Sequence, residues 1–425
     1  MGFNSDLDMA RSYYVATANP FQAAPRLEGA RQADVCVIGG GVTGLAAALC
    51  AAQKGFSVIL LEGGKIGWGA SGRNGGQAIP GLRKGAKELI ALYGKDKARA
   101  LFALSLEARD FTRDLIEKYA IACDLRLEGH LIAAAKASDL EDFNREVEAL
   151  ETVMDYPHAR VLSREETHAK LKSPAYHGGL LDGFGGHLHP LNYTLGLAEA
   201  ARGEGVDLFE DSAALNIEQG AKPRVVTAQG AVEARHVVLA CDALLGDLEP
   251  RIAGRIMPVA NYLLATEPLD DVPIADDLAV SDSKFVVNYF RMSPDKRLIF
   301  GGGERYSAAP PDDIPAFVRG HMLGVFPQLQ HARVDYAWGG LVSITMSRLP
   351  HIGRLGETFF AHGYSGQGVL LSALAGKVLA EAMAGTAERY DLLASLKPPE
   401  FPGGAALRAP LHVLGMMWYA LRDRL

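Results

Sequence analysis

The chain is expected to be α/β with an α+β part: a nucleotide-binding domain on a parallel sheet, joined to a second domain built on an antiparallel sheet. Three stretches carry this expectation. They are a strand–turn–helix–strand unit over residues 34–62, a run of strands from Arg255 to Gly303, and a closing strand, glycine cluster and long helix over residues 358–384.

Asp34–Ile38 is a short apolar run with valine and isoleucine, the pattern of a buried strand. Gly39, Gly41 and Gly44 follow in the spacing G-x-G-x-x-G, and Val42, Thr43 and an Ala/Leu-rich segment open a helix. Val58–Leu61 is a second apolar run, closed by Glu62. Gly39 permits a tight turn, Gly41 lets a pyrophosphate approach the backbone, and Gly44 lets helix and strand lie close. The helix start offers free N–H groups and partial positive charge to phosphates. Glu62 stands where a carboxylate accepts from a ribose 2′-OH and repels a 2′-phosphate. The unit is Rossmann-like and marks a dinucleotide site. Alone, it does not separate NAD from FAD.

Residues 1–29 read as a polar leader with aromatics lying along the body. A second glycine-rich stretch, GWGASGRNGGQ from Gly67 to Gln77, directly follows the second strand, where it suits backbone held close to a flat ligand. Residues 86–120 carry helical periodicity through Leu101, Leu104, Phe111, Leu115 and Ile116. Arg126–Ala135 reads as a strand, Ala137–Val153 as a helix, and Ser163-x-x-Glu166 as a capping box. Tyr176–Pro190 is turn-rich and leads to a helix ending near Gly203, with short strands around Val206, Val225 and Val237–Ala240. The strands of Arg255–Gly303 suggest the antiparallel sheet of a substrate domain. After a helix over 311–324, the chain returns through Ala337–Gly353 and Thr358–His362 to the helix Gly366–Ala384. The expected nucleotide domain is therefore 30–85, 155–250 and 335–390, and the substrate domain 86–154 and 251–334. The leader 1–29 and a tail 391–425 pack on the body.

With 425 residues and 48% hydrophobic content, the chain can bury a large core in two domains. A net charge of −7 and the absence of a long basic run argue against a nucleic-acid surface. Cys36, Cys50, Cys123 and Cys241 form no C-x-x-C pair, so buried thiols are expected rather than a disulfide frame or metal site. His187 and His189 lack a third ligand at suitable spacing, which favours a turn or interdomain contact over a metal. The start MGFNSDLDMARSYYVATANP has no signal pattern, and no apolar run approaches the roughly 20 residues of a membrane helix. A cytoplasmic protein without stable membrane insertion is the expectation.

The closing stretch sets Gly363, Ser365, Gly366, Gln367 and Gly368 at the start of a long helix, a second N–H donor site far from the first. One fingerprint plus a remote glycine-rich helix start suits an extended cofactor held at both ends, and FAD is such a cofactor. Gly301–Gly303 leads into Glu304-Arg305-Tyr306 rather than an apolar helix, so a separate NAD(P)H domain is not expected. The stretches SYYVATANP, DVCVIGGGVTGLAAAL, IGWGASGRNGGQAIPG, GGHLHPLNY, NYFRMSPDKRLIFGGG, WGGLVSITMSRLPHIGR and AHGYSGQGVLLSALAG carry a resemblance. With the tail FPGGAALRAPLHVLGMMWYALRDRL, it spans nearly the whole chain. The chain resembles the FAD-dependent amine and amino-acid oxidoreductases of the D-amino-acid oxidase superfamily, and within it the γ-glutamylputrescine oxidoreductases.

The resemblance implies that Gly39, Gly41, Gly44 and Glu62 hold the ADP half of FAD. It places Gly69, Ser71, Arg73, Asn74, Gly75 and Gln77 against the flavin ring, and Gly363–Gly368 at its pyrimidine end, where N–H dipoles favour the reduced state. Departures from the family pattern are informative. Sarcosine oxidases tether the flavin through a cysteine in the segment matching Trp338–Thr345, which has none here, so non-covalent FAD is expected. The α-carboxylate anchors of related enzymes match Val342 and Leu370, both apolar, which favours an amine over an α-amino acid. The oxygen-activating lysine of sarcosine oxidase falls near Ile299, leaving O2 or another acceptor open. The expected reaction is hydride transfer from a γ-glutamylputrescine-like amine to FAD N5, with the imine hydrolysing to an aldehyde. A secondary amino acid such as L-pipecolate or sarcosine is the alternative, and an NAD-dependent dehydrogenase a remote one. Tyr289, Arg291, Trp338 and Tyr364 are the candidate catalytic residues, with Tyr262 and Asn288 also in the pocket. Arg291 or Arg305 is the expected partner of a remote carboxylate.

Overall fold

The computed structural model describes residues 11–304 and 311–402. The first sheet is built on Gly29–Ile38, which pairs in parallel with Val58–Leu61 on one side and Gly230–Leu239 on the other. Asp207–Phe209 extends it beyond Val58–Leu61, and Thr358–His362 beyond Gly230–Leu239, both in parallel. His351–Leu355 adds an antiparallel edge. Val35–Ile38 and Val58–Leu61 are buried, as strands covered on both faces must be, which is why they read as unbroken apolar runs.

The second sheet runs in the order 334–344, 257–266, 298–304, 289–292, 279–282, 130–133, 179–182 and 159–162. Every neighbouring pair is antiparallel except Ala279–Asp282 with His130–Ala133. Its side chains divide by the period of two. Leu131, Val280, Phe290, Phe300 and Leu264 point into a core closed by the helix Ile314–Val325. Residues one step along, His130, Ile132, Ser281, Tyr289 and Leu263, face the opposite way and line a cavity against the first domain.

This pairing corrects two boundaries. Ala159–Leu162 and Gly179–Asp182 pair with His130–Ala133 and not with the parallel sheet, and Val334–Ile344 runs along Met257–Thr266 from Met257↔Ile344 to Thr266↔Val334. The cuts at 155 and 335 therefore do not follow the sheets. Sequence order favoured the α/β unit, but the hydrogen-bond register follows the strands that share a buried face. The periodic segment 86–120 is two helices, Ala86–Tyr93 and Lys95–Lys118, broken where Gly94 turns at φ +76°. Only His130–Ala133 of the expected strand 126–135 is continuous, with Arg126 making a lone bridge to His187. The Ser163/Glu166 capping box is present with both reciprocal bonds.

Tyr13 and Tyr14 of the leader are buried, with Tyr14 against Trp338 and His189. Arg305 and residues 403–425 of the tail lie outside the described residues. Among the described residues no helix is long and apolar enough to cross a membrane.

Candidate active site

The glycines of the first turn are required by contact as well as by conformation. Gly39 turns at φ +115°, and a Cβ there would meet Ala240 O at 2.6 Å. At Gly44 a Cβ would fall 1.9 Å from Gly39 O and 3.2 Å from Val37 Cγ1, so only a hydrogen lets the helix sit this close to its strand. Gly41 is the N-cap of the helix Val42–Gln53 and has no side chain to cap it. Ser71 Oγ accepts from Val42 N–H at 3.0 Å instead, and a Cβ on Gly41 would lie 2.7 Å from that oxygen. Glu62 accepts from Gly40 N–H at 2.7 Å and from Gly64 N–H at 2.8 Å, one on each oxygen, leaving each a further lone pair. Burial pushes this carboxyl above its usual range, and those two bonds oppose the rise.

The loop Gly67–Gln77 is pinned by its own polar groups. Arg73, buried, donates from Nε to Trp68 O (2.6 Å) and from Nη1 to Gly339 O (2.9 Å). Asn74 donates to Ala70 O and Ser71 O and accepts from Gly76 N–H at 2.7 Å. Gln77 reaches Val280 O at 2.6 Å, and a Cβ on Gly75 would lie 2.7 Å from the Tyr289 ring. The loop is thus tied to the second sheet at both its end and its middle.

The second glycine cluster forms a left-handed approach to the helix Gly368–Met383, with φ +75° at Gly363, +56° at Ser365 and +90° at Gly366. Its N-cap, Gln367, makes no side-chain capping bond. Asp242 Oδ1 accepts from Gly363 N–H (3.1 Å) and Ser343 Oγ–H (2.8 Å), joining three distant parts of the chain. Tyr364 OH and Thr43 Oγ1 share a hydrogen bond of 2.8 Å that links the two helix starts. Burial drives the Tyr364 phenol far above its usual range.

These features border one continuous cavity of about 850 Å³. Gly39, Gly41, Val42, Thr43 and Glu62 of the first turn line it. So do Gly69, Ser71, Arg73, Asn74, Gly75 and Gln77 of the loop and Ser365–Gly368 of the second cluster, with Ser71 and Tyr364 each bonded to the start of the first helix. Gly44 and Gly363 stand behind the wall and act by packing and by turning the chain. Two helix starts whose own N-cap residues make no side-chain bond, a carboxylate near the first, and small residues along the cavity wall fit FAD.

The candidate catalytic residues separate. Tyr289 and Tyr364 line the cavity, and the Tyr289 hydroxyl donates to Asn261 Oδ1. Arg291 and Trp338 do not line it. Arg291 is buried behind the Gly67–Gln77 loop, donating to Gly75 O (2.8 Å), Met292 O (3.1 Å) and Tyr14 OH (3.3 Å). Trp338 is buried beneath the same loop, its Nε1–H on Arg73 O at 2.9 Å. Tyr262 points into the opposite core, and Asn288 is held by Asp282. His189 caps the helix Pro190–Gly203 through Nδ1, and His187 pairs with Asp277.

Sequence reading missed several cavity residues. Asp242 is one, a lone acid at φ +47° with no motif around it. His130, Asp182 and Tyr156 are others, with Tyr156 OH on Asp182 Oδ1 at 2.6 Å and His130 Nε2 against Ser281 Oγ at 2.9 Å. For His130 and Asp182 the signal was the strand alternation, once the strands were assigned to the right sheet; Tyr156 lies in the loop before Ala159–Leu162 and had none. Cys241 also lines the cavity, its Sγ–H donating to Ile38 O at 3.4 Å; burial pushes its thiol up to about 12.

The family profile for FAD dependent oxidoreductases (DAO) matches residues 34–382. The chain belongs to this family. It is 40% identical over 420 residues to the gamma-glutamylputrescine oxidoreductase of Escherichia coli (strain K12), covering 97% of this chain and 98% of that protein. It is likewise 40% identical over 429 residues to the probable oxidoreductase OrdL of Rhizobium meliloti (strain 1021), covering all of both. The glycine oxidase structure from Geobacillus kaustophilus superposes with a TM-score of 0.72 at 21% identity, covering 83% of this chain and 95% of that one. This DAO-family chain is therefore an FAD-dependent oxidoreductase, its dinucleotide unit at residues 34–62 is Rossmann-like as expected, and the nicotinamide alternative falls away.

Proposed function

We propose that the protein oxidises the terminal amine of a γ-glutamylputrescine-like substrate, giving an imine that water converts to an aldehyde. One observation carries the choice of an amine over an α-amino acid. The wall at the second sheet is apolar through Leu263, Leu341 and Val342, and a carboxylate set beside Val342 would lose its water without gaining a partner. The relative from Escherichia coli, named as a gamma-glutamylputrescine oxidoreductase, supports the same substrate class.

Bound FAD supplies the two-electron acceptor for the carbon next to the amine. The chain's own residues bind, orient and exclude water. Tyr289 forms a wall beside Gly75 while its hydroxyl is occupied by Asn261, so it acts by shape and polarity. The Tyr364 hydroxyl is occupied by Thr43 and holds its proton, so it shapes the ring site rather than moving protons. This fits an amine that enters already neutral and needs no dedicated base. The only cavity thiol, among the described residues, is Cys241, whose Sγ–H donates to Ile38 O at 3.4 Å; with no cysteine in the segment Trp338–Thr345, this supports FAD held without a covalent bond.

Anaerobic mixing of the FAD-loaded protein with γ-glutamylputrescine, putrescine, sarcosine and L-pipecolate tests the reading. Rapid bleaching by the first and not by the two amino acids is expected. Reduction by sarcosine or L-pipecolate alone would overturn it.

A further inference from the structure

We infer that Arg348 is the specificity residue for a carboxylate carried at the far end of the amine substrate; the inference rests on the amine-oxidation reading above. Arg348 lines the same cavity as Tyr289, Tyr364 and Gln367. Its guanidinium lies 4.4 Å over the Phe285 ring, and among the described residues its side chain makes no hydrogen bond or ion pair. Of the other basic residues at the cavity, Arg73 is committed to Trp68 O and Gly339 O, Lys84 is paired with Glu88, and Arg83 also has a partner; Arg291, behind the loop, is committed to Gly75 O and Met292 O. The acids that line the cavity, Glu62, Glu146, Asp182 and Asp242, each accept a backbone N–H, and none pairs with Arg348.

The backbone gives a second, independent reason. Arg348 sits at φ +58°, closing a turn in which its N–H donates to Thr345 O at 3.0 Å. Glycine takes that conformation freely, whereas a long side chain is strained there, and such strain concentrates where a side chain must be aimed. The turn is also fixed relative to the second glycine cluster. Thr345 N–H donates to Ser365 Oγ (3.2 Å) and Thr345 Oγ1–H to Leu349 O (2.7 Å), so the residue that presents Arg348 is bonded to the cluster at the head of the closing helix. A planar guanidinium braced on an aromatic face, with its donors uncommitted, matches a carboxylate bidentately. A γ-glutamyl amine carries such a carboxylate at the end remote from its reacting amine. A bare diamine does not.

The test compares the FAD-loaded wild type with Arg348→Gly and Arg348→Lys. The glycine variant relieves the strained backbone, so its melting temperature should hold or rise. Its kcat/KM for γ-glutamylputrescine should fall about ten- to hundred-fold, mainly through KM, as loss of a charge-assisted pair implies. With N-acetylputrescine, which keeps the amide and lacks the carboxylate, it should change less than about three-fold. Arg348→Lys should recover part of the loss. Glutarate, a dicarboxylate without an amine, should perturb the wild-type flavin spectrum saturably and bind the glycine variant about ten-fold more weakly. This titration needs no turnover, so it survives a failure of the amine-oxidation reading. Equal losses on both amines, no loss on either, or no saturable glutarate binding by the wild type would overturn the assignment.

Discussion

Replacing Gly44 with alanine separates packing from propensity because the two predict opposite signs. In an unconstrained helix the change stabilises by about 0.5–1 kcal/mol, since alanine has less backbone freedom to lose. Here the added methyl would stand 1.9 Å from Gly39 O and 3.2 Å from Val37 Cγ1. Relieving it demands a shift of about an ångström between the helix Val42–Gln53 and its strand, in a core that is already close-packed. That helix is held on its other side as well: a Cβ on Gly376 of the closing helix would meet Thr43 O at 2.5 Å and Ala47 N at 2.6 Å, so there is little room to retreat. Overpacking of this kind costs about 1–3 kcal/mol, and the rigid backbone on both sides puts Gly44→Ala at the upper end. Less the propensity gain, the net loss is about 2 kcal/mol, and with an unfolding entropy of about 0.9 kcal/mol per kelvin for a chain of this length it lowers the melting temperature by roughly 2 °C. Differential scanning calorimetry of the FAD-free protein reads this directly. FAD affinity should fall with it if, as proposed, the displaced helix start holds the phosphates. A melting temperature that rises, with FAD affinity unchanged, would refute the close approach.

Arg291→Met should lower stability by about 2–4 kcal/mol, by unmaking charge-assisted bonds to Gly75 O and Met292 O, with equal effects on amines with and without a carboxylate. Tyr364→Phe should cost about 1 kcal/mol for the lost Thr43 bond and leave the pH profile of flavin reduction unmoved; a lost titration step would make the phenol a proton carrier. Burial holds His189 neutral, its value lowered to about 3, as its capping bond to Asn192 N–H requires. Its contribution is therefore complete above the unfolded value near 6.5 and is lost as pH falls toward 3, at about 1.4 kcal/mol per pH unit. Urea midpoints measured from pH 7 to 4 should fall less steeply, by one proton, in His189→Asn, which keeps a capping side chain.

What could be read from the sequence follows from how local each signal is. Gly39, Gly41, Gly44 and Glu62 act within one strand–helix–strand unit, so spacing alone revealed them. The Gly67–Gln77 loop and the Gly363–Gly368 cluster could be placed because glycine density marks backbone under unusual demand. Tyr289 and Phe290 were known to alternate, but which one faced the cavity depended on the partner sheet. Arg291 looked available because a strand arginine is usually solvated; its burial depends on Tyr14 and Gly75, both more than two hundred residues away. Arg348 and Asp242 carry no motif, and their backbone conformation is invisible in a string of letters. The misplaced boundaries at 155 and 335 have the same cause, since strand partners come from register and not from order along the chain.

The bonds from a single oxygen of Asp242 to Ser343 and Gly363 have a bearing on biogenesis. The first glycine turn leaves the ribosome early, yet the clamp that completes the pocket needs residues more than three hundred positions later. A nascent chain can form the first glycine turn and still lack the wall that Ser343 and Ser365 supply to the cavity. A ligand that needs the whole cavity is captured only once synthesis is nearly finished, and by binding the folded state it favours the meeting of early and late parts of the polypeptide.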